Sequence, residues 1–499
     1  MSPRRKILLS VVLLFLFQNH SQGLNFDYIR IGKSTNSSEE TDEIFKNHPY
    51  INKENVGFIL YDIKTDRVIT QFNRNSLFIP ASTTKIFTTL ASLKLLGADH
   101  RFNTTLEKSG TISEGSLHGN LYLKGGGDPN LTLSNIIQMV NALKKKGITR
   151  IDGKFIYDES LYADRNEIDA IMDDDAAYNT GLSALSLETN NIIAFWKQTG
   201  HKEPAKYYFV PSLPTYEIRN ATYTKKENIE FKYAGNEEKS IWILSPKDTH
   251  LGLKYLPVKN PGLFTAMVFK KLASMESIEL PDPVKGNVPW YSSELYIKKS
   301  ESLLDLCRTI LATSNNTMTE NLLLSMTAKI GLKNSNLQTA SSYLKDYFKH
   351  LPGDVNWDGF HLENGSGLTS SNRVSPEQLL AAVLFSEKLL DPDLNFEGLL
   401  PISGWSSILR TRLNDPVSAF RVHAKNGGIF YSTSLGGYLY AKSGKKYAFA
   451  FLITDYKART AFEKMPNKHD RDVLSKTYGW SGTNQDFMDK TIKSWIEKY

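Results

Sequence analysis

A mixed α/β fold with a β-rich insertion is what the sequence predicts, on three observations. The chain has 499 residues, too many for one hydrophobic core, so two or three compact units are expected. Segments with strand alternation and segments with helical spacing occur together at both ends of the chain. Between about 103 and 285 the texture changes to short strands and turns with few long helices. A hydrophobic content of 40% with 11% aromatics is ordinary for a globular protein.

The elements follow in order. Pro3-Arg4-Arg5-Lys6 is a basic stretch, Ile7 to Phe17 is apolar, and Ser21-Gln22-Gly23 offers small residues at a cleavage spacing. This predicts a secretory signal over 1–23, the apolar run being well short of the ~20 residues that span a bilayer. No other stretch is apolar enough to span, so no transmembrane anchor is expected after cleavage. Residues 25–50 are polar and read as a leading helix or arm. Gly57 to Tyr61 and Val68 to Phe72 read as strands joined by a turn at Lys64-Thr65-Asp66. Ser82 to Leu96 has helical spacing through Ile86, Leu90, Leu93 and Leu96, and stops at Gly97. Residues 195–250, rich in Tyr, Lys, Asn and Thr, read as a small β-rich module. Helical pattern returns at 301–313, 317–330, 336–349 and 376–389. Two strands, 435–440 and 447–453, flank a Lys-Ser-Gly-Lys turn, and a last helix covers about 485–498. That helix carries Phe487, Met488, Ile492, Trp495 and Ile496, which suit packing on its own sheet better than a membrane surface.

Composition excludes several function classes. Without residues 1–23 the formal charge falls from +7 to +4. The basic residues form no cluster, so no nucleic-acid partner is expected. The single cysteine, Cys307, lies among Leu303, Leu304, Leu306 and Ile310 and reads as a small buried apolar residue. One cysteine and ten scattered histidines predict no metal site, and no cofactor is implied. Gly125-Gly126-Gly127-Asp128 is glycine-rich, but no Gly-Lys-Ser/Thr follows, so turn geometry is the reading rather than a phosphate loop.

Three short motifs could carry chemistry. In Ser82-Thr83-Thr84-Lys85 a serine and a lysine three apart on a helix share a face, so Lys85 can reach the Ser82 hydroxyl. Ser82 at the helix start also gains from the positive end of the dipole. A desolvated Lys85, or one near a second cation, can act as a neutral base. The same spacing recurs at Ser342 and Ser443, but only Ser82 opens an apolar helix after a proline. Ser314-Asn315-Asn316, between two predicted helices, could relay a proton and hold a carbonyl; taken alone, an N-cap before Thr317-Met318-Thr319-Glu320 is the simpler reading. Lys425-Asn426-Gly427-Gly428, preceding the strand pair, could present charge and bare backbone N–H groups to an oxyanion or carboxylate. Lys442-Ser443-Gly444 imitates this signature but should sit in an exposed hairpin turn.

Ser-x-x-Lys, Ser-x-Asn and Lys-Thr-Gly in this order are the signature of penicillin-binding proteins and serine β-lactamases. The long gap between the first two, and its contents, resemble the class C low-molecular-mass penicillin-binding proteins, the D-alanyl-D-alanine carboxypeptidase/endopeptidase family. Phe78 to Lys85 is similar to the family's Pro-Ala-Ser-x-x-Lys, Gly125 to Leu131 to its Gly-Asp-Pro-x-Leu block, and Asn364 to Pro376 to its Asp-Gly-Ser-Gly-Leu-Ser-Arg segment. Asp158 to Leu161, Ala184 to Asn190, Leu400 to Gly404 and Gly436 to Tyr438 match further blocks.

The resemblance implies a transpeptidase/β-lactamase-like α/β domain, an antiparallel sheet flanked by helices, built from 24–103 and 286–499. It implies an inserted, mainly β domain from 104–194 and 251–285, with a second, 195–250, nested in it. It further implies Ser82 as nucleophile, Lys85 as base, Ser314 as proton relay, Asn316 as orienting group and Lys425 as the charge near the substrate carboxylate. The backbone N–H groups of Ser82 and Gly428 would form the oxyanion hole, and Asn426, Gly427, Asp158 and Ser370 would line the substrate site. Peptidoglycan peptides are the implied substrates, β-lactams the covalent inhibitors, and the periplasm the expected location. Three positions depart from the pattern. Asn426 stands for threonine, Ser370 for arginine and Asn364 for aspartate. The first motivates the alternative of a catalytically weakened cell-wall-binding homologue.

Overall fold

The computed structural model describes residues 31–32, 37–197, 206–220, 231–236, 238–244, 251–332, 335–389, 393–465, 468 and 470–499. The expected signal segment 1–23 lies outside them, as do parts of the 195–250 module. No helix among the described residues is long and apolar enough to cross a membrane.

A five-stranded antiparallel sheet organises both chain ends. Its strands are β1 (Val56–Asp62), β2 (Arg67–Phe72), β3 (Val422–Ile429), β4 (Ser432–Tyr440) and β5 (Lys446–Thr454), in the order β3-β4-β5-β1-β2. Both faces are covered, so β1 is buried along its whole length. Side chains alternate between the faces. Phe58 and Leu60 point to one core with Phe449 and Phe451, while Ile59 and Tyr61 point to the other with Ala448 and Ala450.

The first face packs on α1 (Ser37–Lys46) and α8 (Arg471–Lys498). The last helix is thus longer than its sequence signal. It begins at Asp470, whose side chain caps Asp472 N–H, and its buried apolar residues start only at Phe487. The second face packs on α2 (Thr84–Leu96), α3 (Leu303–Thr313), α4 (Asn316–Lys329), α5 (Leu337–Lys349) and α6 (Pro376–Leu389). A short helix, α7 (Tyr456–Glu463), follows β5. Cys307 is fully buried on α3.

The insertion has its own core. A five-stranded sheet orders Pro283–Lys285, Phe155–Asp158, Leu121–Lys124, Asn103–Lys108 and Ser293–Lys299. The last of these pairs antiparallel with Asn103–Lys108, so this sheet runs to 299 rather than ending near the expected 285. Two helices, Leu133–Lys145 and Pro261–Met275, pack in the same core. Asn191–Lys197 and Leu251–Pro257 pair with each other across the expected 195 and 250 limits. The strand 206–210 adds to them, and Tyr216–Asn220, Phe231–Tyr233 and Ser240–Leu244 form another three-stranded sheet.

Trp495 ties α8 to the sheet. It is fully buried, with ring centroids 5.6 Å from Phe58 and 5.9 Å from Phe451. Its indole N–H has no hydrogen-bond partner among the described residues, so truncation loses packing alone. Trp495→Ala is expected to destabilise by roughly 3–5 kcal/mol, read from the denaturant midpoint; a loss below about 1 kcal/mol would show that α8 is not needed to hold the sheet.

Candidate active site

Ser82 lies in a 3-10 turn, Ala81–Thr83, that leads directly into α2. Ala81 before it has φ 46°, a left-handed backbone that L residues adopt at a cost of about 1–2 kcal/mol. The turn is fixed by Thr83 Oγ1 donating to Pro80 O (2.7 Å) and Thr84 Oγ1 donating to Ala81 O (2.8 Å). One turn on, Lys85 is completely buried.

The Lys85 Nζ has three acceptors: Ser82 Oγ at 3.0 Å, Asn316 Oδ1 at 2.7 Å and Ser366 O at 2.8 Å. An ammonium satisfies all three. A neutral amine has two N–H bonds and one lone pair. The Asn316 and Ser366 oxygens can only accept, whereas a hydroxyl can also donate. The neutral lysine therefore points its lone pair at Ser82, as a general base must. Burial pushes the Lys85 pKa well below the ordinary lysine range, Lys425 pushes it further, and Glu320 opposes them.

Asn316 is the first residue of α4, and its Nδ2 donates to Tyr178 O at 3.4 Å. Ser314 ends α3 in a left-handed conformation, φ 57° and ψ 31°, and Asn315 caps α4 through Met318 N–H. The cap and the functional readings of Ser-Asn-Asn thus fall on different residues: Asn315 caps while Asn316 meets Lys85.

Lys425 and its neighbours lie in β3, a strand of the terminal sheet that precedes the pair β4 and β5, as expected, and that begins three residues earlier, at Val422. Lys425 is fully buried, and its Nζ donates to Asn426 O (2.9 Å) and Asn426 Oδ1 (3.2 Å). Burial lowers its pKa to about 7. Gly427 is required by close approach. A Cβ there would stand 2.5 Å from Pro80 O and 2.9 Å from Ser82 N, so glycine lets β3 lie against the nucleophile turn. Gly428 is exposed and faces open space. Successive residues of an antiparallel strand turn their N–H groups to opposite neighbours. Ala424 N–H donates outward to Pro401 O, at 2.9 Å, so the N–H groups of Asn426 and Gly428 also face the outer edge of β3.

Two expected substrate residues are engaged elsewhere. Both oxygens of Asp158 accept backbone N–H groups of the insertion, from Ser160 (2.9 Å) and Val288 (2.8 Å). A substrate amine would compete with those two bonds. Ser370 is half-buried, its side chain lowering the Glu463 carboxyl pKa and its carbonyl accepting Arg373 Nη1 at 2.5 Å. The decoys separate cleanly, since Ser342 sits within α5 and Ser443 in the exposed turn between β4 and β5. The triple glycine is a crossing of backbones, because Cβ atoms at Gly125 and Gly126 would meet Ala184 O at 2.3 Å and Asn103 O at 1.8 Å. Sequence reasoning missed Ser366, which acts through its carbonyl, and the buried Glu320 beside it.

A serine hydroxyl hydrogen-bonded to a buried lysine one helical turn on is the arrangement of serine–lysine acyl transferases, and that is the class the fold and the site resemble. The chain belongs to the D-Ala-D-Ala carboxypeptidase 3 (S13) family, whose model matches residues 37–472. It is 25% identical over 417 residues to "D-alanyl-D-alanine carboxypeptidase DacB" of Haemophilus influenzae, covering 81% of this chain and 86% of that protein. The crystal structure of penicillin binding protein 4 (dacB) from Haemophilus influenzae has the same fold. Its TM-score is 0.77 at 20% identity, covering 92% of this chain and 100% of that one. That protein's complex with a β-lactam gives a TM-score of 0.75 at 21% identity, with the same coverage.

Burial lowers the pKa of both lysines and Lys85 also feels the Lys425 charge, so a base beside a cation requires Lys85 to lose its proton while Lys425 keeps its own. On the reading that Lys85 is the base and Lys425 the cation, raising pH through the Lys85 transition creates the base, and raising it further, near 7, discharges Lys425. The pH profile of kcat/KM, which reports the free enzyme, is expected to be bell-shaped with its alkaline limb near that value. In Lys425→Arg, which stays charged, the alkaline limb should move up by more than a unit; an unmoved limb would assign it to another group.

Proposed function

We propose that this chain is a serine D-alanyl-D-alanine peptidase acting on the stem peptides and cross-links of peptidoglycan. The observation that carries this reading is the Lys85 Nζ, whose two acceptor-only partners leave Ser82 as the group it can deprotonate. Ser82 attacks the carbonyl of the penultimate D-alanine as Lys85 takes its proton. The oxyanion is received by the N–H groups of Ser82 and Gly428, the latter on the open edge of β3. Ser314 passes a proton to the departing amine, and Asn316 orients Lys85 and the peptide. Lys425, with Asn426 and Gly427, faces the substrate carboxylate and keeps Lys85 neutral by charge repulsion. Water then releases the acyl group. Asp158 and Ser370 would meet the far end of the stem peptide by exchanging hydrogen bonds they make within the chain.

Terminal carboxypeptidase and cross-link endopeptidase action share this acylation and differ only in the leaving amine. β-Lactams, one of which is bound in the Haemophilus relative, would acylate the same serine. The substrate implies a site of action outside the cytoplasmic membrane, in the periplasm. We divide the chain into a catalytic body from both ends, an insertion and a module nested within it. A weakened cell-wall-binding homologue is less well supported, since Lys85 keeps its hydrogen bonds to Ser82 and Asn316 and Lys425 lies near enough to act on its charge.

Labelling with a fluorescent penicillin should mark the wild type and be abolished in Ser82→Ala, with D-alanine release from a stem pentapeptide lost in parallel. Labelling that persists in Ser82→Ala would place the nucleophile elsewhere. Folded wild type that takes no label would bring the binding-protein reading forward.

A further inference from the structure

Glu320 is a fully buried carboxylate that the acyl-transfer chemistry does not use. It lies on α4, whose residues from Thr317 to Thr327 are all buried, and a buried charge persists only where it is paired and hydrogen-bonded. Its partners are two consecutive backbone N–H groups. Ser366 N–H donates to Oε1 at 2.6 Å and Gly365 N–H donates to Oε2 at 3.0 Å. With both oxygens accepting, the site suits the anion. Burial raises the Glu320 pKa, while the Ser366 side chain, these two backbone hydrogen bonds and Lys85 pull it back. Lys85 is the charged group recorded facing it, and Lys85 in turn faces Lys425.

The segment that Glu320 holds is the one that presents the third acceptor to Lys85. Ser366 O lies 2.8 Å from Lys85 Nζ. Thr88 Oγ1 donates to Gly365 O at 2.8 Å, and Asn364 Oδ1 accepts Gly367 N–H at 2.9 Å. Of these anchors, Glu320 is the one that grips two successive N–H groups at once. It also stands one helical turn after Asn316, so the two share a face of α4. Asn316 meets Lys85 directly, and Glu320 meets it through Ser366.

We propose that Glu320 is a positioning residue for acylation: by gripping the Gly365-Ser366 backbone it aims the Ser366 carbonyl at Lys85 Nζ, and so directs the lysine lone pair at Ser82. This rests on the acyl-transfer reading of the site. Glutamine at 320 would present an amide N–H to a backbone N–H, breaking the grip and removing the charge beside Lys85. A misaimed base costs on the order of 10²-fold in rate. Without the carboxylate Lys85 loses its proton more readily, so the acid limb of the rate profile moves to lower pH.

The test is the pH dependence of acylation by fluorescent penicillin for wild type, Glu320→Gln and Glu320→Asp, with thermal melts to establish folding. Wild-type labelling that vanishes in Ser82→Ala verifies the acyl-transfer reading separately. Glu320→Gln is expected to acylate about 10²-fold more slowly at its optimum, with its acid limb moved down. A wild-type rate would overturn the proposal. Equal slowing at every pH with an unmoved limb would do so too, leaving Glu320 a scaffold residue. Should Glu320→Gln not accumulate as folded protein, Glu320→Asp carries the same decision. It keeps the charge but is one methylene short, so it should be slow with the limb in place. Asp at full speed would make charge, not grip, the cause and overturn positioning.

Discussion

The structure of the site depends on burying Lys85 without an ion-pair partner in direct contact. A lysine Nζ taken out of water must find acceptors for all of its hydrogens or give up its charge. The three acceptors come from Ser82 on the same helix, from the start of α4 and from the 364–367 loop, residues up to 281 positions apart in the chain. None of these segments meets another until the helices have packed on one face of the terminal sheet. The fold is in this sense a frame for one nitrogen atom. Burial of the charge that the frame leaves unpaired is what lowers the Lys85 pKa and suits the nitrogen to the proposed role of base.

The second lysine is treated differently. Lys425 finds its acceptors within β3 itself, on Asn426 O and Oδ1. The asparagine thus serves two groups. Its oxygen is committed to the lysine, and under the proposed function its amide nitrogen is the part left for a substrate carboxylate. A threonine hydroxyl in that position can both accept and donate from one atom. The asparagine instead divides the two functions between two atoms set farther from the backbone. Asn364 similarly does with a neutral oxygen what an aspartate would do with a charged one, accepting Gly367 N–H. That leaves Glu320 as the carboxylate recorded acting on Lys85.

Much of this was legible in the sequence, for identifiable reasons. The Ser82 helix carried both its apolar spacing and its chemistry in one short segment, so the two readings reinforced each other. The Ser443 decoy was dismissed correctly because a hairpin turn between two apolar strands has to be exposed. Other features had no local signature. Glu320 looked like a residue of the first turn of a capped helix, and only the packing of a loop 45 residues away gave it a role. Ser366 acts through a backbone oxygen, which no side-chain pattern reveals. The N-terminal half of α8 is largely solvent-facing and polar, so its helix was invisible to hydrophobic periodicity. Ser293–Lys299 pairs with a strand almost 200 residues earlier, and the pairing, not its composition, joins it to the sheet of Asn103–Lys108.

The insertion bears on the site through the same helix. Thr317, Asn321 and Ser325 recur every four residues and form a polar stripe along one face of α4. Thr317 Oγ1 is 2.7 Å from Thr180 Oγ1, Asn321 Nδ2 donates to Ser186 Oγ at 2.9 Å, and Ser325 Oγ donates to Gly127 O at 2.9 Å. Tyr162 Oη adds a bond to Asn321 Oδ1 at 3.2 Å. Apolar packing fixes the separation of two surfaces better than their register, whereas buried hydrogen bonds fail when one surface slides or turns. A rotation of α4 that moved Asn316 off Lys85 would leave this stripe unpaired on one side and break the Glu320 grip on the other. The triple glycine at 125–127 belongs to the same device, because without it the insertion's backbone could not come close enough for Ser325 to reach Gly127 O. The helix that carries Asn316 is thus held from both sides, and the insertion is part of what keeps Lys85 aimed at Ser82.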